Sequence, residues 1–222
     1  MLTKLLGWVR RSYVPDYAEG EPGQSLALNS RGEGLFSPVL PERSELVRLG
    51  NSWGAQIPAA SAFTLLITIP TTRAEIALQN GELAGGKSYI IDRFWVKAVT
   101  TTASLGAITP IAQVVAPGTA LVADNTAVLR YSLSGKSTTY GGKAQLCIAS
   151  TATGCLTDKW MHFQSADPNA TTNIAITGEV LCYGRYVIPP QGNFSMNAQE
   201  SVSGGTAIMG VEWHECQLPI NG

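Results

Sequence analysis

Val180-Leu-Cys-Tyr-Gly-Arg-Tyr-Val-Ile188, Pro189-Pro-Gln-Gly192, Asn193-Phe-Ser-Met-Asn-Ala-Gln199 and Gly205-Thr-Ala-Ile-Met-Gly-Val-Glu-Trp-His-Glu-Cys-Gln-Leu-Pro219 read as three strands and two turns. In the last segment Ala207, Met209, Val211 and Trp213 are apolar, and Gly210, Glu212 and His214 fall between them, which is the period of a half-buried strand. Phe194, Met196 and Ala198 alternate with Ser195, Asn197 and Gln199 in the same way, and the Ser/Gly turn at 201–205 predicts that the two segments form a hairpin. Pro189-Pro190 cannot continue a ladder, so the chain is expected to turn at Gln191-Gly192, with Gly192 at positive φ.

Upstream the same texture continues back to Ala62. Phe63, Leu65, Ile67 and Ile69 alternate with polar or smaller residues until Pro70, and Arg73 to Gln79 is closed by the turn pair Asn80-Gly81. Ser88 to Val99 has apolar residues on both faces, with Tyr89, Ile91, Trp95 and Val99 on one and Ile90, Phe94, Val96 and Ala98 on the other, as in a strand buried on both sides. Gly106–Ala116, Thr126–Leu133, Ala144–Ala149, Asp158–Gln164 and Asn173–Ile188 complete nine or ten strands at spacings near a dozen residues. Strands at that spacing, with no helices between them, predict an all-β fold, a jelly roll or related antiparallel β-sandwich over residues 61–222.

Residues 1–60 have another character. They contain Pro15, Pro22, Pro38, Pro41 and Pro58, many glycines, and a short periodic stretch at Glu42 to Leu49. Trp8, Tyr13, Tyr17, Phe36 and Trp53 are large groups that a solvated tail would lack, so the segment is read as an extended N-terminal arm that docks on neighbours through them.

Charged residues are 14% of the 222, against roughly 25% in ordinary soluble domains. A surface so poor in charge fits one covered by other subunits. No run of about 18 apolar residues is present to span a bilayer, and the net charge of −1 provides no basic surface for phosphate, so neither membrane nor direct nucleic-acid binding is expected. Lys4, Arg10 and Arg11 interrupt the first apolar residues, which predicts synthesis in the cytoplasm and, with it, free thiols at Cys147, Cys155, Cys182 and Cys216.

Candidate chemistry is sparse. Gly135-Lys136-Ser137 ends like a phosphate-binding loop, but Arg130 stands where that loop needs its first glycine. His162 and His214 are too few for a three-histidine zinc site. Glu212, His214 and Cys216 share one face of the last strand, a geometry that could hold a metal or a Cys/His pair, but a polar stripe facing solvent or a neighbour is the stronger reading. Trp95, Trp160 and Trp213 are assigned to core or interface before any sugar-stacking role. No catalytic, metal or cofactor residue is assigned, and the chain is read as a non-enzyme without cofactors.

Ile76-Ala-Leu-Gln-Asn-Gly-Glu82, Ala84-Gly-Gly-Lys-Ser-Tyr-Ile-Ile-Asp92, Gly184-Arg-Tyr-Val-Ile-Pro-Pro-Gln-Gly192 and the Gly205–Pro219 segment together resemble virion-associated proteins of tailed bacteriophages, over roughly residues 70–220. The resemblance implies a β-rich particle component and transfers no functional residue. The resulting expectation is a virion structural protein, a capsid decoration or cement protein that clamps neighbouring subunits through its arm. Its expected partners are the major capsid protein or tail proteins and further copies of itself, a trimer being favoured among homo-oligomers. A tail or fibre-base component and a glycan- or receptor-binding β-module are the alternatives.

Overall fold

The computed structural model describes residues 42–71, 74–100, 107–116, 129–135, 140–148, 155–165, 177–201 and 204–217. Among these a single α-helix, α1 (Glu42–Leu49), precedes eleven strands: β1 (Ser52–Gln56), β2 (Phe63–Thr64), β3 (Ile76–Asn80), β4 (Ser88–Thr100), β5 (Ile108–Val115), β6 (Leu129–Ser132), β7 (Ala144–Ile148), β8 (Met161–His162), β9 (Thr177–Ile188), β10 (Asn193–Glu200) and β11 (Thr206–Cys216). One sheet runs β6-β1-β11-β4-β9, with β2 also on β11, and the other runs β7-β3-β10-β5-β8. Every strand pair is antiparallel. Without β6 and β7 at the edges, the orders β1-β11-β4-β9 and β3-β10-β5-β8 are those of a jelly roll, in which the chain crosses between sheets at almost every connection.

The apolar rows of the two sheets make one core. Phe194, Met196 and Ala198 of β10 meet Ala207, Met209, Val211 and Trp213 of β11 in it, all fully buried. The expected hairpin of these two strands is therefore not formed: β10 pairs with β3 and β5, and β11 with β1, β2 and β4. Two strands in one hairpin would expose a common apolar face, whereas placing them in opposite sheets lets each row cover the other.

The turn before β10 likewise crosses between sheets, and there positive φ falls on Gln191 (67°), not on Gly192. Gly192 is needed for closeness instead, since a Cβ would sit 3.2 Å from the Pro189 carbonyl oxygen. Asn80 holds this crossing to the 81–87 one. Its buried amide donates to the carbonyls of Lys87 (2.8 Å) and Ile188 (3.0 Å), and its oxygen accepts from the Glu82 N–H (3.0 Å). Asn80 thus ends β3 as read, but as a clasp between crossings and not as a hairpin turn.

A bulge explains the two apolar faces of β4. Partners along β11 skip from Arg93 to Ile91, leaving Asp92 extra, so the inward parity changes there. Tyr89 and Ile91 point inward before the bulge, and Phe94, Val96 and Ala98 after it. The strand is central in its sheet, but its faces are not both core.

The boundary expected at residue 60 falls inside the sandwich. β1 lies between β6 and β11, and α1 is closed by Gly50 at φ 81° with the Asn51 N–H bonded to the Leu46 carbonyl. Farther on, the alternation through Ile69 yields only the two-residue β2. Leu65 is buried and Ile67 exposed, because the chain there leaves β11 and bridges to Gln199 of the other sheet.

The outer face of the second sheet is not a solvent face either. Asn193, Ser195, Asn197 and Gln113 are buried beneath a small second core of Ala74, Ile111, Val115, Cys155 and Trp160, with the Trp160 indole N–H bonded to the Pro70 carbonyl (2.9 Å).

Candidate interaction face

The β4 bulge places Asp92 and Arg93 together on the outer face of the first sheet, each against a residue of β11. Arg93 donates through Nε and Nη2 to both Glu212 oxygens (2.7 and 2.6 Å) and through Nη1 to Glu179 of β9 (2.7 Å). One guanidinium thus braces three strands. Glu212 and then Glu179 hold its pKa above the ordinary arginine range, so it remains charged. Asp92 Oδ2 lies 3.1 Å from His214 Nδ1. The stripe Glu212, His214, Cys216 is therefore buried, not solvent-facing, and two of its members are engaged by β4.

Aromatic rings lie on the same face where glycine leaves room. A Cβ at Gly210 would overlap the Trp95 ring, and one at Gly54 would overlap Tyr131. Burial and then the Glu212 charge raise the pKa of Tyr131.

Toward the sheet edge the face becomes apolar and open. Across from Asp92, β9 bulges over Cys182–Arg185, with Tyr183 (φ 50°) and Gly184 (φ 72°) in the left-handed region. Leu181 is 47% exposed and Tyr183 63% exposed, while Cys182 between them enters the core. A long edge strand presenting two large apolar side chains suits contact with another polypeptide more than free solvent.

No model of a known protein family matches the chain, and no curated protein matches it. The residues themselves must therefore support any functional reading.

Of the five expected arm anchors, Trp53 lies on β1, partly buried against the core and edge-on to Tyr140 at 4.7 Å. Trp8, Tyr13, Tyr17 and Phe36 lie outside the described residues. Trp213 and Trp160 are buried and Trp95 packs over Gly210, so the three tryptophans form no common platform. Among the described residues no cluster of His, Cys, Asp and Glu could hold a metal ion, and no helix could cross a membrane. Gly135 follows β6 in a turn at φ 65°, while Lys136 and Ser137 lie outside the described residues.

Residue order did not reveal the polar cluster at one end of the core. Glu215, inward-facing after Trp213, accepts from the Tyr140 hydroxyl (2.5 Å) and pairs with Lys87 Nζ at 3.4 Å. The only local signal was a carboxylate continuing the apolar parity of the last strand.

Proposed function

We propose that this chain is a structural subunit of a tailed-bacteriophage particle, a decoration or cement protein that grips neighbouring capsid subunits with the segment before Glu42. Jelly rolls serve capsids, lectins and small-molecule enzymes alike, so the fold by itself does not choose. The observation that supports this reading is the anchorage of the arm. Residue 42 leads through α1 directly into β1, which is hydrogen-bonded on one side to β11 over Ser52–Gln56 and on the other to β6 over Trp53–Gln56. Tension on the arm would load two antiparallel ladders in shear, as a clamp requires. The resemblance to phage virion proteins, whose quoted segments fall on β3, the start of β4, the β9–β10 crossing and β11, is the second support for this reading. Residues 1–41 can extend to about 135 Å at about 3.3 Å per residue, enough to cross onto an adjacent subunit.

Co-sedimentation with undecorated capsids tests this. The full chain is expected to bind at saturating occupancy and a variant lacking residues 1–41 to lose binding. Equal binding of the two would overturn the clamp.

A further inference from the structure

The edge of β9 and one stretch of the arm are complementary. Along Thr177–Leu181, β9 pairs regularly with β4, and among the described residues no strand lies on its other side. Natural edges are blunted by proline, lysine or a bulge, yet Thr177-Gly-Glu-Val-Leu181 contains none of these, and the bulge begins only after it. Its one charge, Glu179, is paired at 2.7 Å with Arg93, which Glu179 shares with Glu212. This leaves a short ladder template flanked by the exposed Leu181 side chain.

Before Glu42, Gln24-Ser-Leu-Ala-Leu-Asn29 has Leu26 and Leu28 alternating with Ser25, Ala27 and Asn29. Pro22-Gly23 precedes it, Gly32 follows it, and it contains no charge. Six residues span about 20 Å as a strand, which suffices to cover Thr177–Leu181. The thirteen residues from Asn29 to Glu42 reach about 43 Å, against the roughly 19 Å of four strand spacings from β1 to a strand beyond β9.

We propose that Gln24–Asn29 is a donor strand that adds to the outer edge of β9 beside Thr177–Leu181, setting a leucine beside Leu181. Main-chain hydrogen bonds supply the affinity and the two leucines the register, as in β-strand addition generally. The added strand does not rest on the clamp reading, which co-sedimentation with capsids tests separately.

Hydrogen exchange on the full-length protein tests it, comparing the parent with Ala27→Pro, which removes a ladder donor, and with Leu26→Asp/Leu28→Asp, which retains every N–H. Amides in 177–181 are expected to exchange at least about tenfold faster in both variants, with β11 amides unchanged as the control for folding. Equal exchange in parent and variants would overturn the added strand. Protection that increases with protein concentration supports donation between copies; protection independent of concentration retains the added strand within one chain and overturns donation between copies.

Discussion

The Tyr140 hydroxyl donates to Glu215 across one end of the sandwich, 75 residues away in sequence, and accepts the Ala144 N–H at 2.9 Å. The Glu215 side chain is only 2% exposed, and this donor and Lys87 are partners to its carboxylate. Tyr140→Phe is expected to cost about 1–3 kcal/mol at neutral pH, the usual penalty for leaving a buried acceptor short of a partner. Urea unfolding at pH 7 measures it, and an unchanged midpoint would contradict the assigned bond.

The same cluster predicts an alkaline limit. Burial first, and the Glu215 charge second, raise the pKa values of Tyr140 and Tyr89 above that of a free tyrosine. A raised folded-state pKa means that the unfolded chain releases its protons first, so the contribution is whole below about pH 10 and is lost as pH rises beyond it. Stability measured at pH 9, 10 and 11 should fall over the last interval, and fall less steeply in Tyr140→Phe.

The buried Asn80 side chain bonds the 81–87 crossing at Glu82 and Lys87 and the end of β9 at Ile188. Asn80→Leu leaves the Lys87 and Ile188 carbonyls and the Glu82 N–H without it, at an expected cost of about 3 kcal/mol. Guanidinium denaturation gives the value; a loss below about 0.5 kcal/mol would show that water replaces the clasp.

Two truncations bracket the sandwich. Removing residues 1–41 leaves α1 and β1 and should leave the melting temperature nearly unchanged. Removing residues 1–55 takes away most of the strand between β6 and β11 and exposes Trp213, Val211 and the Tyr140 cluster, so no soluble folded protein is expected. Folding of the shorter product would return the boundary to residue 60.

All four cysteines are buried, and no disulfide joins any two of them. Native alkylation should label none of them, denatured alkylation all four, and reductant should leave melting unaffected. Burial also raises the Cys155 thiol pKa, which further slows its reaction. Intact mass distinguishes these outcomes.

Strand positions and inward parity were legible in sequence because side chains on a strand alternate strictly. Ala207, Met209, Val211 and Trp213 face the core as their spacing predicts, and α1 lies where its periodicity placed it. β1 was not legible, since Ser52-Trp-Gly-Ala-Gln56 is five residues with a glycine at its centre and acquires strand character only from two neighbours. Partner choice was equally invisible: β10 and β11 are adjacent in the chain, but the apolar area gained by facing each other across the core exceeds what a hairpin could bury. The interaction face depends on one extra residue, Asp92, whose bulge sets Arg93 between Glu179 and Glu212. Sequence by itself thus determined the longer strands after residue 75 and which side of the last strand faces inward, through local period alone. Tertiary structure alone decided which strands pair, where parity changes and which polar residues are covered, because those depend on burial and hydrogen bonding between segments about 50 to 160 residues apart.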